Sequence, residues 1–248
     1  MLPAGSRVVF LHAHPDDETL ATGVLLAALV DDGHAVAVVT ATRGELGDVV
    51  PGPLARLAGT PALVEHRVGE LAGALAELGV RDHCFLGMPP ARAAGLAPRR
   101  YTDSGMRWLD EEETVAGPGG QAGPDSLALA DAGEAAADLA AFLGSFGADV
   151  LVSYDELGGY GHPDHVACHH VAVAAAALAG VPLVEVVSEP RTSVEGAQAF
   201  ALERYLPRVR DALAHHASQL RVDGDEVVHV GGQRQPILTT VRLSRAEA

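Results

Sequence analysis

The chain has 248 residues, 48% of them apolar, enough to bury a full core and to exclude wholesale disorder. Its formal net charge of −16 repels a phosphate backbone, which excludes nucleic acid as a natural partner. Two cysteines, Cys84 and Cys168, without CxxC spacing argue against a disulfide framework and against a thiolate zinc knuckle. The opening MLPAGSRVVFLHAH does not read as a secretory leader, and no stretch has the length and apolarity of a membrane helix. A cytoplasmic location away from membranes is the expectation.

In chain order, residues 8–13 read as a strand, 18–31 as a helix, 36–42 as a second strand and 61–78 as a helix. A short strand follows at 83–86, then a helix at 134–146, a strand at 149–154, a helix at 164–178 and a strand at 182–188. Residues 202–220 read as one late helix. Strands alternating with helices predict an α/β, Rossmann-like domain spanning 1–248, its mostly parallel sheet covered on both faces. Two long loops, 44–60 and 87–126, interrupt the rhythm. Within the second, 111–126 is expected to be disordered, whereas 99–108, with Tyr101, Met106 and Trp108, is expected to serve the site.

The chemistry is concentrated in two clusters. His12-Ala13-His14-Pro15-Asp16-Asp17-Glu18 lies where the first strand gives way to the first helix, the sheet edge at which α/β proteins bind ligands. Capping a helix accounts for one or two of these acids but not for two histidines and three acids in seven residues. Tyr160-Gly161-His162-Pro163-Asp164-His165 repeats the pattern after a later strand. Together they predict a His/carboxylate metal site with an open position, zinc first and iron(II) as the alternative. A carboxylate outside the ligand set could then take a proton from water, and Asp16 and Asp17 are both candidates. If protonated beside Asp164, His162 could stabilise an oxyanion or protonate a leaving amine, and Tyr160 could be a further donor. An iron(II) oxygenase fits the βαβ rhythm poorly, and the anionic first turn lacks the glycines a dinucleotide fingerprint needs. Neither GxSxG nor a Walker motif occurs.

The motifs HPDDE and HPDH resemble those of the LmbE-like/PIG-L zinc de-N-acetylases, a family with a Rossmann-like fold. The resemblance implies zinc on His14, Asp17 and His165, Asp16 as general base, His162 as acid or electrostatic catalyst oriented by Asp164, and Tyr160 polarising the carbonyl. Within the family, HRVGEL around Arg67, the 101–106 loop and Pro236-Ile237-Leu238 are most similar to the mycothiol-pathway branch, which acts on N-acetylglucosaminyl-inositol. By that likeness Arg67, Asp103, Asp48 and Met106 would be substrate contacts, with Arg67 and Asp103 gripping hydroxyls. Asp48 replaces a glutamate of the branch, and the stretch from 187 to 206 is shorter. Ala21 stands where the conjugate-amidase branch carries a lysine, favouring the deacetylase. The alternatives are that amidase, a deacetylase of another N-acyl sugar such as an antibiotic intermediate, and a non-catalytic sugar-binding metalloprotein.

Overall fold

A computed structural model describes residues 2–110, 112, 115–188 and 194–246. In chain order the elements are β1 (Arg7–His12), α1 (Asp17–Asp31), β2 (Ala35–Thr40), α2 (Pro61–Leu78), β3 (Asp82–Phe85), β4 (Arg107–Trp108) and β5 (Ala116–Gly117). They continue with α3 (Ala132–Phe146), β6 (Val150–Tyr154), α4 (Gly158–Gly161), α5 (Pro163–Ala179), β7 (Leu183–Val186), β8 (Gln198–Ala201) and α6 (Leu206–Leu213). The last four are β9 (Leu220–Asp223), β10 (Glu226–His229), β11 (Arg234–Pro236) and β12 (Thr240–Arg245).

The main sheet runs β3-β2-β1-β6-β7-β12-β8. Its first five strands are parallel, and β12 pairs antiparallel with both β7 and β8. The sequence dictates this centre. In β1, Val8 and Phe10 enter the core beneath α1, α2 and α6, while Val9 and Leu11 enter the opposite core beneath α3 and α5. A strand buried on both faces needs a continuous apolar run, and β1, β2 and β6 supply it. The chain winds outward from β1 through β2 to β3, then returns to pair β6 on the other side of β1. The carboxyl ends of β1 and β6 therefore flank the point where strand order reverses, the usual ligand crevice of such sheets. No helix among the described residues is long and apolar enough to cross a membrane.

Two expectations are corrected. The late helix covers only Leu206–Leu213. Residues 216–219 leave the helix because His216 and Ser218 turn inward onto the buried carboxylates of Glu18 and Glu70. The second correction concerns 111–126, of which 111, 113 and 114 lie outside the described residues. The remainder is built into the fold: β5 pairs with β4, Leu109 N donates to Val115 O at 2.8 Å, and Gly119 N to Ser104 O at 2.9 Å. Backbone hydrogen bonds to the 101–109 segment order a stretch whose composition alone suggested disorder.

Candidate active site

The turn between β1 and α1 is strained where the chemistry is densest. Asp16 has φ 100° and ψ −34°, and it alone among the described non-glycine residues has positive φ. This conformation sends the three neighbouring carboxylates to three destinations. Asp17 Oδ2 accepts the His14 N–H at 2.8 Å and the Tyr154 hydroxyl at 2.9 Å, and lies 3.2 Å from both His14 Nδ1 and His165 Nε2. Glu18, fully buried, accepts the Asp16 N–H at 3.0 Å. Asp16 points its carboxylate to Arg67 Nη2 at 3.3 Å.

The second cluster opens α5. Pro163 occupies the first helical turn, where its missing N–H costs nothing, and His162 caps the helix by accepting the Asp164 N–H on Nδ1 at 3.2 Å. That bond places the His162 proton on Nε2. Burial, with His14 and His165 nearby, holds the His162 pKa down to about 4, so of the two roles expected from sequence the ring suits the electrostatic one, as a neutral Nε2–H donor, over that of a protonated acid. Nor does the Asp164 carboxylate orient His162. It accepts Ser104 N at 2.8 Å, the Ser104 hydroxyl and His14 Nε2 at 3.1 Å. Tyr160, 63% exposed, stands edge-on to His165 with ring centroids 5.2 Å apart.

Each imidazole beside Asp17 is held on one nitrogen and aimed with the other. His14 is held through Nε2 by Asp164 and presents Nδ1. His165 is held through Nδ1 by Gly158 O at 3.2 Å, and its buried Nε2 faces Asp17 Oδ2 without an aligned hydrogen bond. Holding one ring nitrogen with a carboxylate or carbonyl is how proteins orient metal-ligating histidines. The 3.2 Å separations match the roughly 3.3 Å between ligand atoms on a tetrahedral ion with bonds of about 2.0 Å. The groups whose ligand atoms all lie within 4.8 Å of one another are His14, His162 and His165, and His14, Asp103, His162 and Asp164, so Asp17 approaches the two imidazoles without joining either group. Against the cost of burial, Asp103, Asp164 and Asp17 hold the His14 pKa well above its usual value. Despite the same cost, His165 and His14 hold Asp17 well below the carboxylate range. The cluster thus favours positive charge at its centre, and its residues fit a divalent cation. Burial raises Asp16 to about 6, with Arg67 opposing the rise and Asp17 adding to it.

The four residues expected to touch substrate divide into two pairs. Arg67 is 3% exposed and donates to Pro15 O and Gly44 O, each at 2.7 Å, as well as to Asp16. It fastens the β1–α1 turn to the loop after β2, an inward commitment that differs from a grip on hydroxyls. Gly44 and Gly47 are required beside it, since a Cβ would stand 1.8 and 2.5 Å from Arg67 Nη1. Asp103 is also committed, accepting Leu46 N at 3.1 Å and Gly105 N at 2.7 Å. Asp48 and Met106, in contrast, are exposed. Sequence reasoning missed Tyr154, whose hydroxyl takes the Ala13 N–H at 3.1 Å while binding Asp17, and whose ring stacks on His165 at 4.4 Å. Its place at the carboxyl end of a strand was the available signal.

Residues 9–176 match the family model for PIG-L, the GlcNAc-PI de-N-acetylases. The chain belongs to the PIG-L family. A 1D-myo-inositol 2-acetamido-2-deoxy-alpha-D-glucopyranoside deacetylase of Kineococcus radiotolerans is 47% identical over 173 residues, 70% of this chain and 45% of that protein. The enzyme of the same name from Kribbella flavida is 47% identical over 175 residues, 70% of this chain and 54% of that protein. This PIG-L chain spans about half the length of the curated relatives it matches. Among solved structures, the zinc-inhibited form of teicoplanin deacetylase superposes with a TM-score of 0.63 at 20% identity, covering 98% of this chain and 99% of that one. At that identity the likeness establishes the shared PIG-L fold.

Proposed function

We propose that this PIG-L protein is a zinc-dependent N-deacetylase that hydrolyses the N-acetyl amide of an N-acetylglucosaminyl-inositol. The observation that carries the reading is the division of the turn's carboxylates: Asp17 lies between two aimed imidazole nitrogens, while neighbouring Asp16 points elsewhere. The sugar is suggested by the two relatives, both named for its deacetylation.

In this reading His14, Asp17 and His165 would hold the zinc, with His14 Nδ1, Asp17 Oδ2 and His165 Nε2 the atoms that face one another. When bound, such an ion polarises an amide carbonyl and lowers the pKa of water towards about 7. Asp16 accepts the proton of the attacking water and returns it to the departing amine nitrogen, so that amide and water become acetate and amine. A carboxylate raised to about 6 is matched to that exchange near neutral pH. His162 donates its Nε2–H to the oxygen on which negative charge develops, and the hydroxyl of Tyr160, whose ring lies beside those of His162 and His165, is a second donor to the same oxygen. Arg67 sets the direction of the Asp16 carboxylate. Asp48 and Met106, both exposed, are the residues free to meet the inositol.

Amine release from N-acetylglucosaminyl-inositol and from free N-acetylglucosamine tests the assignment. A site built around the glycoside penalises a missing hydroxyl partner, so kcat/KM is expected to be higher for the glycoside. Equal kcat/KM for the two would redirect the reading to another N-acyl sugar. Absence of release from both would overturn it.

A further inference from the structure

Asp16 occupies a backbone conformation that is unfavourable for an L residue, so the surroundings must hold it there. Its own side chain does not cap α1. The holding group is Glu18, whose Oε2 accepts the Asp16 N–H at 3.0 Å. Glu18 is fully buried, and its other oxygen accepts the Thr19 hydroxyl and His216 Nε2, the latter at 3.0 Å. His216 is 1% exposed and comes from the turn after α6, 198 residues away and beyond the 9–176 segment that matches the family model.

That turn is tied down on its other side. Ser218 N donates to Glu70 Oε1 at 2.7 Å, its hydroxyl to Oε2 at 2.6 Å, and its carbonyl accepts Val50 N at 2.9 Å. His216 is therefore fixed independently of Glu18. A buried carboxylate without a partner is strongly unfavourable, so Glu18 points where His216 awaits it, and its second oxygen is left to face the Asp16 amide.

We propose that Glu18 and His216 form a positioning pair: His216 fixes Glu18, and Glu18 holds the Asp16 backbone in the conformation that turns its carboxylate away from Asp17. Neither residue touches substrate. The inference rests on Asp16 being the general base, and it makes the C-terminal turn part of the catalytic apparatus by way of geometry alone.

The test is a double-mutant cycle between His216 and Asp16 on the zinc-loaded protein, with metal content and hydrogen exchange measured alongside. His216→Ala is expected to lower kcat about 10- to 100-fold, as displacement of a catalytic group does, with KM little changed and zinc retained. His216→Gln, which keeps a side-chain N–H, restores most of that loss. In an Asp16→Asn background His216→Ala costs almost nothing more, because the group it positions is already disabled. Exchange of the Asp16 amide accelerates in His216→Ala. If His216→Ala fails to fold, His216→Met fills the volume without a donor and carries the same expectations. Multiplicative losses in the cycle, a change confined to KM, or an unaltered Asp16 amide would overturn the pair. Full activity of Asp16→Asn would instead remove the base assignment, which separates the two failures.

Discussion

This molecule holds two clusters of carboxylates and cations, and only one of them is left incomplete. Asp138, fully buried on α3, accepts Arg92 Nη1 at 2.7 Å, Ala93 N at 2.8 Å and the Tyr101 hydroxyl at 2.9 Å. Arg92 also pairs with Glu134 at 2.8 Å, and Glu134 with Arg99. Every strong donor in that network has an acceptor, and the network clamps the loop following β3 onto α3. Around Asp17 the same residue classes gather, yet the buried Nε2 of His165 faces Asp17 Oδ2 at 3.2 Å without an aligned hydrogen bond, and Asp16 faces a single guanidinium at 3.3 Å. A saturated cluster holds structure; a cluster with aimed but unsatisfied atoms is prepared for something that arrives later.

Substitutions in the two clusters should therefore fail differently. The largest effect is expected from Asp16→Asn, which removes a proton acceptor worth about 10²- to 10⁴-fold in rate. Steady-state kinetics should show the loss in kcat while zinc content and the unfolding midpoint stay near those of the parent. Asp138→Ala should do the reverse. It leaves the buried Tyr101 hydroxyl and Ala93 N without their acceptor and Arg92 with Glu134 alone, and is expected to cost about 1–3 kcal/mol of unfolding free energy, read by urea titration, with the kcat of the folded fraction retained. If Asp138→Ala lost kcat at unchanged stability, the division between the clusters would collapse.

Finer effects sharpen the contrast. Tyr154→Phe keeps the ring stacked on His165 but removes the hydroxyl from Asp17, so zinc affinity should fall about 10- to 100-fold in a competitive chelator titration. The smallest effect lies outside both clusters, at His169, whose pKa is raised chiefly by its hydrogen bond to Glu185. A raised histidine pKa contributes stability that is fully present below the unfolded value near 6.5 and is lost as pH rises through the higher folded value. The difference in Tm between the parent and His169→Gln should accordingly shrink as pH climbs from about 6 towards about 8. A gap that widened with pH would contradict the pairing.

The parallel half of the fold was legible because β1, β2 and β6 are buried on both faces and carry unbroken apolar runs. The His-Pro-Asp turns were legible because their composition exceeds what capping requires. The C-terminal strands were not, since β9 to β11 have only three or four residues each and β12, though six residues long, is only partly buried. The Asp223-Gly224 and Gly231-Gly232 pairs, with Gly224 at φ 65° and Gly232 at φ 84°, were the hairpin signals there. The supporting contacts were invisible for a different reason. Tyr154 meets Asp17 across 137 residues and His216 meets Glu18 across 198, and no local pattern encodes such distances. Arg67 could be singled out as special from its sequence, but whether it faced a sugar or Pro15 and Gly44 depended on packing.

The central claim is that an ion held by His14, Asp17 and His165 serves an amide hydrolysis based on Asp16. Its most direct test is acetate and amine release from N-acetylglucosaminyl-inositol, followed while zinc is returned to metal-stripped protein. The expected result is equimolar acetate and amine, with activity rising until about one ion per chain is bound. His165→Ala should remain silent throughout and retain no ion after gel filtration. Full turnover by the stripped protein, or normal zinc retention by His165→Ala, would contradict the account.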